Sequence, residues 1–130
     1  MRQQLQSLRW MALWQSTGWL LIAAVIYLSL AADLPALPGE GSDKYEHFIA
    51  YGALMFWFTQ IYGRLGTRVA IAAGLILLGV ALEFVQGQTG YRTFDYADMV
   101  ANAIGVIVGW IAAPPRTANV FSFLERRVLP

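Results

Sequence analysis

Residues 69–86 read VAIAAGLILLGVALEFVQ, apolar or small at every position until Glu83 and Gln86. A helix must run about 20 residues at about 1.5 Å each to cover about 30 Å of hydrocarbon. This stretch comes close, and Gly63 and Gly66 before it and Gly87 and Gly90 after it set its ends. With no water-facing stripe, it predicts a membrane-crossing helix that carries two polar side chains near one end.

Three further stretches of the same kind flank it, at 12–32, 44–62 and 97–113, bounded by Pro35, Pro38 and Gly39 and by Pro114 and Pro115. Breakers of this sort end helices, so each run is a separate element. The expected fold is all-α: one polytopic membrane domain over 1–130, a four-transmembrane-helix bundle. Composition agrees, since hydrophobic residues make up 58% and charged residues 13% of the chain, the latter about half the share in an average soluble domain. A net charge of +1 with no basic run excludes an electrostatic nucleic-acid binder. The absence of cysteine excludes disulfides and thiolate metal sites. The first run has a rival reading as a cleavable signal peptide, with Arg2 and Arg9 ahead of it and Ser29-Leu30-Ala31 at its end. Counted from Met11 it exceeds a usual signal core, which favours a retained span.

Basic residues stay preferentially on the cytoplasmic side. Arg2 and Arg9, then Arg64 and Arg68, then Arg116, Arg126 and Arg127 fall on one side of the four spans, and Lys44 and Arg92 on the other. Asp33, Glu40, Asp43, Glu46, Glu83, Asp95 and Asp98 join the second group. Both termini are therefore expected inside, with the acid-rich ends facing out. The cytoplasmic tail 114–130 mixes Val120, Phe121, Phe123, Leu124, Val128 and Leu129 with charge, and reads either as a short interfacial helix or as a disordered segment.

The polar residues inside the spans cluster. Asp43, Lys44, Glu46 and His47 open the second span, Glu83 and Gln86 close the third, and Arg92, Asp95, Asp98 and Asn102 enter the fourth. Counted at 1.5 Å per residue, His47, Glu83, Asp98 and Asn102 all lie about 5–10 Å below the same boundary. Spacings of three and four put Asp43, His47 and Tyr51 on one stripe, Glu83 and Gln86 on another, and Asp95, Asp98, Asn102, Gly105 and Gly109 on a third. Ionisable groups at such depth are costly unless paired, so they face the bundle interior. They predict a pocket open to the outer leaflet, with His47, Glu83, Asp98 and Asn102 as floor and Lys44, Arg92 and Asp95 at the rim. Plainer readings stand beside this one: helix capping for Asp43, Glu46 and Asp95, snorkelling for Lys44, and a buried network that only locks the helices for the floor residues. Glu83 resists the capping reading, because a helix C-terminus disfavours an anion. Trp10, Trp14, Trp19, Trp57 and Trp110 read as interface anchors. Ala101, Gly105 and Gly109 form a small-residue face suited to close helix approach, or to docking a membrane partner or second copy.

Asp43-Lys44-x-x-His47, Glu83-x-x-Gln86 and Arg92-x-x-Asp95-x-x-Asp98-x-x-x-Asn102-x-x-Gly105-x-x-x-Gly109 together resemble the VanZ-like family of bacterial membrane proteins, named for a determinant associated with teicoplanin resistance. The resemblance covers about residues 43–110. It implies a multi-pass protein of the bacterial inner membrane with a role in the cell envelope and antibiotic resistance. It implies no particular reaction and names no cofactor.

Three functions compete. In the first, the pocket binds or acts on an anionic lipid or lipid-linked envelope precursor: Lys44 and Arg92 contact phosphate with Asp43, Gln86, Asp95 and Asn102 as further binding residues, and His47, Glu83 and Asp98 serve as base or proton relay. In the second, the chain is a non-enzymatic scaffold or accessory subunit. In the third it is a small proton-coupled transporter, a reading weakened because Thr59 and Gln60 are the main polar groups in the opposite halves of the spans. A single histidine and loose ligand spacing argue against a metal centre.

Overall fold

The computed structural model describes residues 8–32 and 42–128, with backbone alone at Ser42 and Asp43. The Asp43 side chain, named above as a candidate, lies outside the described residues. Five helices follow one another: α1 Met11–Leu30, α2 Ser42–Ile61, α3 Leu65–Gln88, α4 Tyr96–Ile111 and α5 Val120–Val128, with no strand among the described residues. Of these, α1 and α3 are long and apolar enough to cross a membrane, while α4 is a shorter apolar helix. α3 begins four residues ahead of Val69, because Arg64 is its N-cap and the Arg68 N–H closes the first turn on the Arg64 carbonyl at 3.0 Å.

α1 to α4 alternate in direction, as the contacts at their ends show. At one end the Arg92 guanidinium reaches the Leu28 and Ala31 carbonyls at the finish of α1. At the other, Arg68 near the start of α3 donates from Nε to Tyr62 O, from Nη2 to Thr59 O and from Nη1 to Pro114 O, at 2.7, 2.9 and 2.6 Å. Those carbonyls belong to the ends of α2 and α4, which have no intrahelical donor left to them.

The tightest pairing is α2 on α4. A Cβ added to Gly105 would collide with the Phe48 carbonyl, and one added to Gly109 with the Gly52 carbonyl, so both glycines allow backbone-to-backbone contact. The small-residue face, read as suited either to close helix approach or to docking a partner, packs on α2 of the same chain. Tyr51, Leu54, Met55, Ala72, Leu75 and Val106 form the interior core.

The outer faces remain apolar: Leu20 is 70% exposed and Leu77 66%, with Val100, Ile104, Ile107 and Ile111 also uncovered on α4. An apolar groove of about 600 Å³ opens between α1, α2 and α3, lined by Trp19, Ile22, Phe58, Ile71 and Leu75 among others.

The tail is helical over Val120–Val128 and packs inward rather than trailing. Phe121 stacks on Trp14 with centroids 4.1 Å apart and meets Trp57 edge-on at 4.6 Å. Trp57 Nε1 donates to the Trp14 carbonyl at 2.9 Å. Two of the five tryptophans read as interface anchors therefore hold α5 in place. Glu125, 7% exposed, accepts from the Arg9 and Trp10 backbone N–H groups and from Trp14 Nε1 at 2.8, 3.0 and 2.7 Å. α1 has no side-chain cap of its own, so a carboxylate from the far end of the chain satisfies its orphan donors.

Candidate functional site

At the end where α2 and α4 start and α3 finishes, polar side chains from three helices meet. The geometry begins with Asp95, the N-cap of α4, whose Oδ1 accepts from the Ala97 N–H at 2.9 Å. The Asp95 N–H donates to Glu83 Oε1 at 2.7 Å, so α3 ties directly to the start of α4. Glu83 is 1% exposed and its second oxygen, Oε2, has no hydrogen-bond partner.

Around Glu83, His47 on α2 pairs through Nδ1 with Asn102 Oδ1 at 2.9 Å. That partner, an acceptor, calls for a proton on Nδ1. The other ring nitrogen, Nε2, lies 3.6 Å from Asp98 Oδ2. Asn102, 2% exposed, rests on Gly79, where a Cβ would approach its Nδ2 to 2.7 Å. Lys44 closes the rim: its Nζ lies 3.3 Å from Asp95 Oδ2 and 3.9 Å from Asp98 Oδ1. The Ala97 N–H, and after it Lys44, hold the Asp95 carboxyl below its ordinary range.

One potential ligand atom from each of His47, Glu83 and Asp98 lies within 4.8 Å of the other two. Lys44, His47, Glu83, Asp95, Asp98 and Asn102 are therefore brought together. Gln86 and Arg92 are not. Gln86 is 3% exposed and donates from Nε2 to the Ser29 carbonyl at 2.7 Å, and Arg92 is held by the end of α1, as described above. Both groups serve the α1 terminus, where free carbonyls face the α3–α4 connection.

The residues that sequence reasoning passed over are Gly79, Gly52, Arg68 and Glu125. Gly79 and Gly52 carry no polar signal and matter through what lies on them. Glu125 had one available signal, being the sole acid on the basic side of the chain.

The described residues are helical throughout their regular structure, with two helices long and apolar enough to cross a membrane and with carboxylates and amide buried beside an imidazole at one end. The chain belongs to the VanZ/LLP1 family, which it matches over residues 4–120. It is also similar to an uncharacterized protein of the fission yeast Schizosaccharomyces pombe, 38% identical over 87 residues, covering 62% of this chain. The chain spans about half the length of that curated relative, 54%. No solved structure matches it.

Proposed function

We propose that this chain is a multi-pass membrane protein, with α1 to α4 all crossing the bilayer and both termini on the cytoplasmic side, whose α2–α3–α4 cluster takes the phosphate-bearing head group of a lipid. The observation that carries the reading is convergence: His47, Glu83, Asp98 and Asn102 come from three different helices and meet at one end, around a buried carboxylate oxygen left unpartnered. Such a group is costly unless something fills the space beside it. Lys44, partly exposed at the rim, is placed to contact phosphate. With Arg92 held at the end of α1, the cluster carries more negative than positive groups, so a bare anion would need further cationic help.

Apolar faces on α1, α3 and α4 support a lipid surround, since exposing them to water would forgo their hydrophobic transfer energy. α4 spans about 24 Å at 1.5 Å per residue, short of a full hydrocarbon core, and would place its polar start below the headgroup level. A fungal relative favours a head group common to bacterial and fungal membranes over a precursor specific to the bacterial wall. The bacterial envelope and resistance role stays tied to the family's name and is not needed for this reading.

A scaffold role is the second reading, supported by the way Asn102 is wedged over Gly79. Native mass spectrometry of the gently extracted protein separates the two. A co-purifying phospholipid that is lost in Lys44→Ala and Asp98→Asn, with thermal stability kept, is the expected result. No lipid in the wild type, or equal loss of folded protein in both variants, would favour the scaffold. The topology is tested separately on this cysteine-free chain: single cysteines at Gly66 and Thr93 should be closed and open, respectively, to an impermeant reagent applied outside intact cells. The reverse pattern would overturn it.

A further inference from the structure

We infer that His47, Glu83 and Asp98 bind a divalent transition-metal cation of the zinc or manganese kind. Sequence spacing argued against a metal, because the three residues lie far apart along the chain; three helices bring them together. Three observations carry the inference. Glu83 Oε1 is occupied by the Asp95 N–H while Oε2, buried at 1% residue exposure, has no partner. His47 Nδ1 is engaged by Asn102, which leaves Nε2 as the ring nitrogen facing Asp98 Oδ2 at 3.6 Å. A metal cation or a proton between these two atoms would satisfy both. Asp95, Asp98 and Glu83 gather beside Lys44, whose Nζ lies 3.3 and 3.9 Å from the first two, and a dication would offset further carboxylate charge there.

The donor set suits the ion. One imidazole with two carboxylates fits zinc or manganese, whereas calcium and magnesium favour oxygen alone. Bound at about 2.1 Å from each donor, a metal holds its ligands about 3–4 Å apart. The three ligand atoms, within 4.8 Å of one another, would close by up to about 1–2 Å. Asn102 is the outer partner that metal-bound histidines ordinarily have, fixing ring orientation and tautomer. If the head-group reading holds, the cation also supplies the positive charge that Arg92 does not, by receiving a phosphate oxygen; that clause rests on the proposed function, and the metal site does not.

The test uses the full chain in mild detergent, stripped with chelator and dialysed against Zn²⁺, Mn²⁺, Mg²⁺ or Ca²⁺ in turn, with bound metal measured by mass spectrometry. Expected are about one Zn²⁺ or Mn²⁺ per chain, a higher melting temperature with either, and at least tenfold weaker binding in Glu83→Gln and in His47→Gln. Two variants are used so that either one, if folded by size exclusion and tryptophan fluorescence, suffices. No binding by the wild type above background for any of the four ions, or equal binding by wild type and a folded variant, overturns the inference. Lipid retained by the same sample before and after chelation is scored in parallel. Metal without lipid defeats the head-group reading alone, and lipid without metal defeats this inference alone.

Discussion

Gly79→Ala is a one-methyl change with a calculable consequence. The new Cβ would lie 2.7 Å from Asn102 Nδ2 and 3.3 Å from its Cβ and Cγ, and Asn102, 2% exposed, has no open space to retreat into. Overpacking of this sort costs about 1–3 kcal/mol. Displacing the amide also forfeits the His47–Asn102 hydrogen bond, about 0.5–1.5 kcal/mol. Against these stands the better helix propensity of alanine, about 1 kcal/mol in water. The net is a loss of about 2 kcal/mol, or about 30-fold in the unfolding equilibrium. Denaturation in detergent micelles would measure it, combined with Asn102→Ala in a double-mutant cycle. With the Asn102 side chain removed, Gly79→Ala should become neutral or stabilising. The ring signals of His47, the chain's single histidine, should move in the Gly79→Ala protein in the same direction as in Asn102→Ala. An equal loss in both backgrounds would refute the placement of Asn102 on Gly79 and the α3–α4 packing built on it.

Glycine substitutions elsewhere should sort by contact: Gly105→Ala and Gly109→Ala, which drive a methyl into the α2 backbone, should cost several-fold more in denaturation than Gly66→Ala or Gly74→Ala, where nothing lies within 4 Å. Arg68→Lys should lower stability by about 1–3 kcal/mol, because one ammonium cannot reproduce a guanidinium's fork across the Thr59, Tyr62 and Pro114 carbonyls; thermal melts would check it. At Glu125, burial pushes the carboxyl up, but donation from the Trp10 N–H, the Trp14 indole and the Arg9 N–H outweighs it and holds the group below its usual 4.5. A depressed folded value means that this tie stabilises the docked tail fully above pH 4.5 and is lost as pH falls through the lower folded value. Hydrogen exchange over residues 120–128 should therefore rise in acid, and Glu125→Gln should show faster exchange already at neutral pH with that acid step removed. An acid step that survives in Glu125→Gln would assign it to another group.

The approximate bounds of α1 to α4 were legible because a long apolar run between breakers buries its backbone groups most readily by pairing them within a helix. Depth counting and the three-four spacing likewise placed His47, Glu83, Asp98 and Asn102 in a common layer, since helix rise and period are nearly constant. Counting could not tell which members of the layer point at one another. Gln86 and Arg92 sit at the same end yet turn to the Ser29, Leu28 and Ala31 carbonyls, because α1 finishes beside them. The spacing of Gly105 and Gly109 likewise forecast a close approach without saying to whom.

The α5 end was the least legible. Phe121 and Glu125 bind across more than a hundred residues to Trp14 and the start of α1, and local pattern carries no record of so distant a partner. Sequence by itself determined which apolar segments form α1 to α4, which of their residues are apolar and how far along each helix its polar groups lie, because these follow from composition and from a fixed rise per residue. Tertiary structure alone decided the pairing of α2 with α4, the placing of α5 and the carboxylate oxygen left open beside His47, because rotation about each helix axis is set by whichever neighbouring surface fits against it.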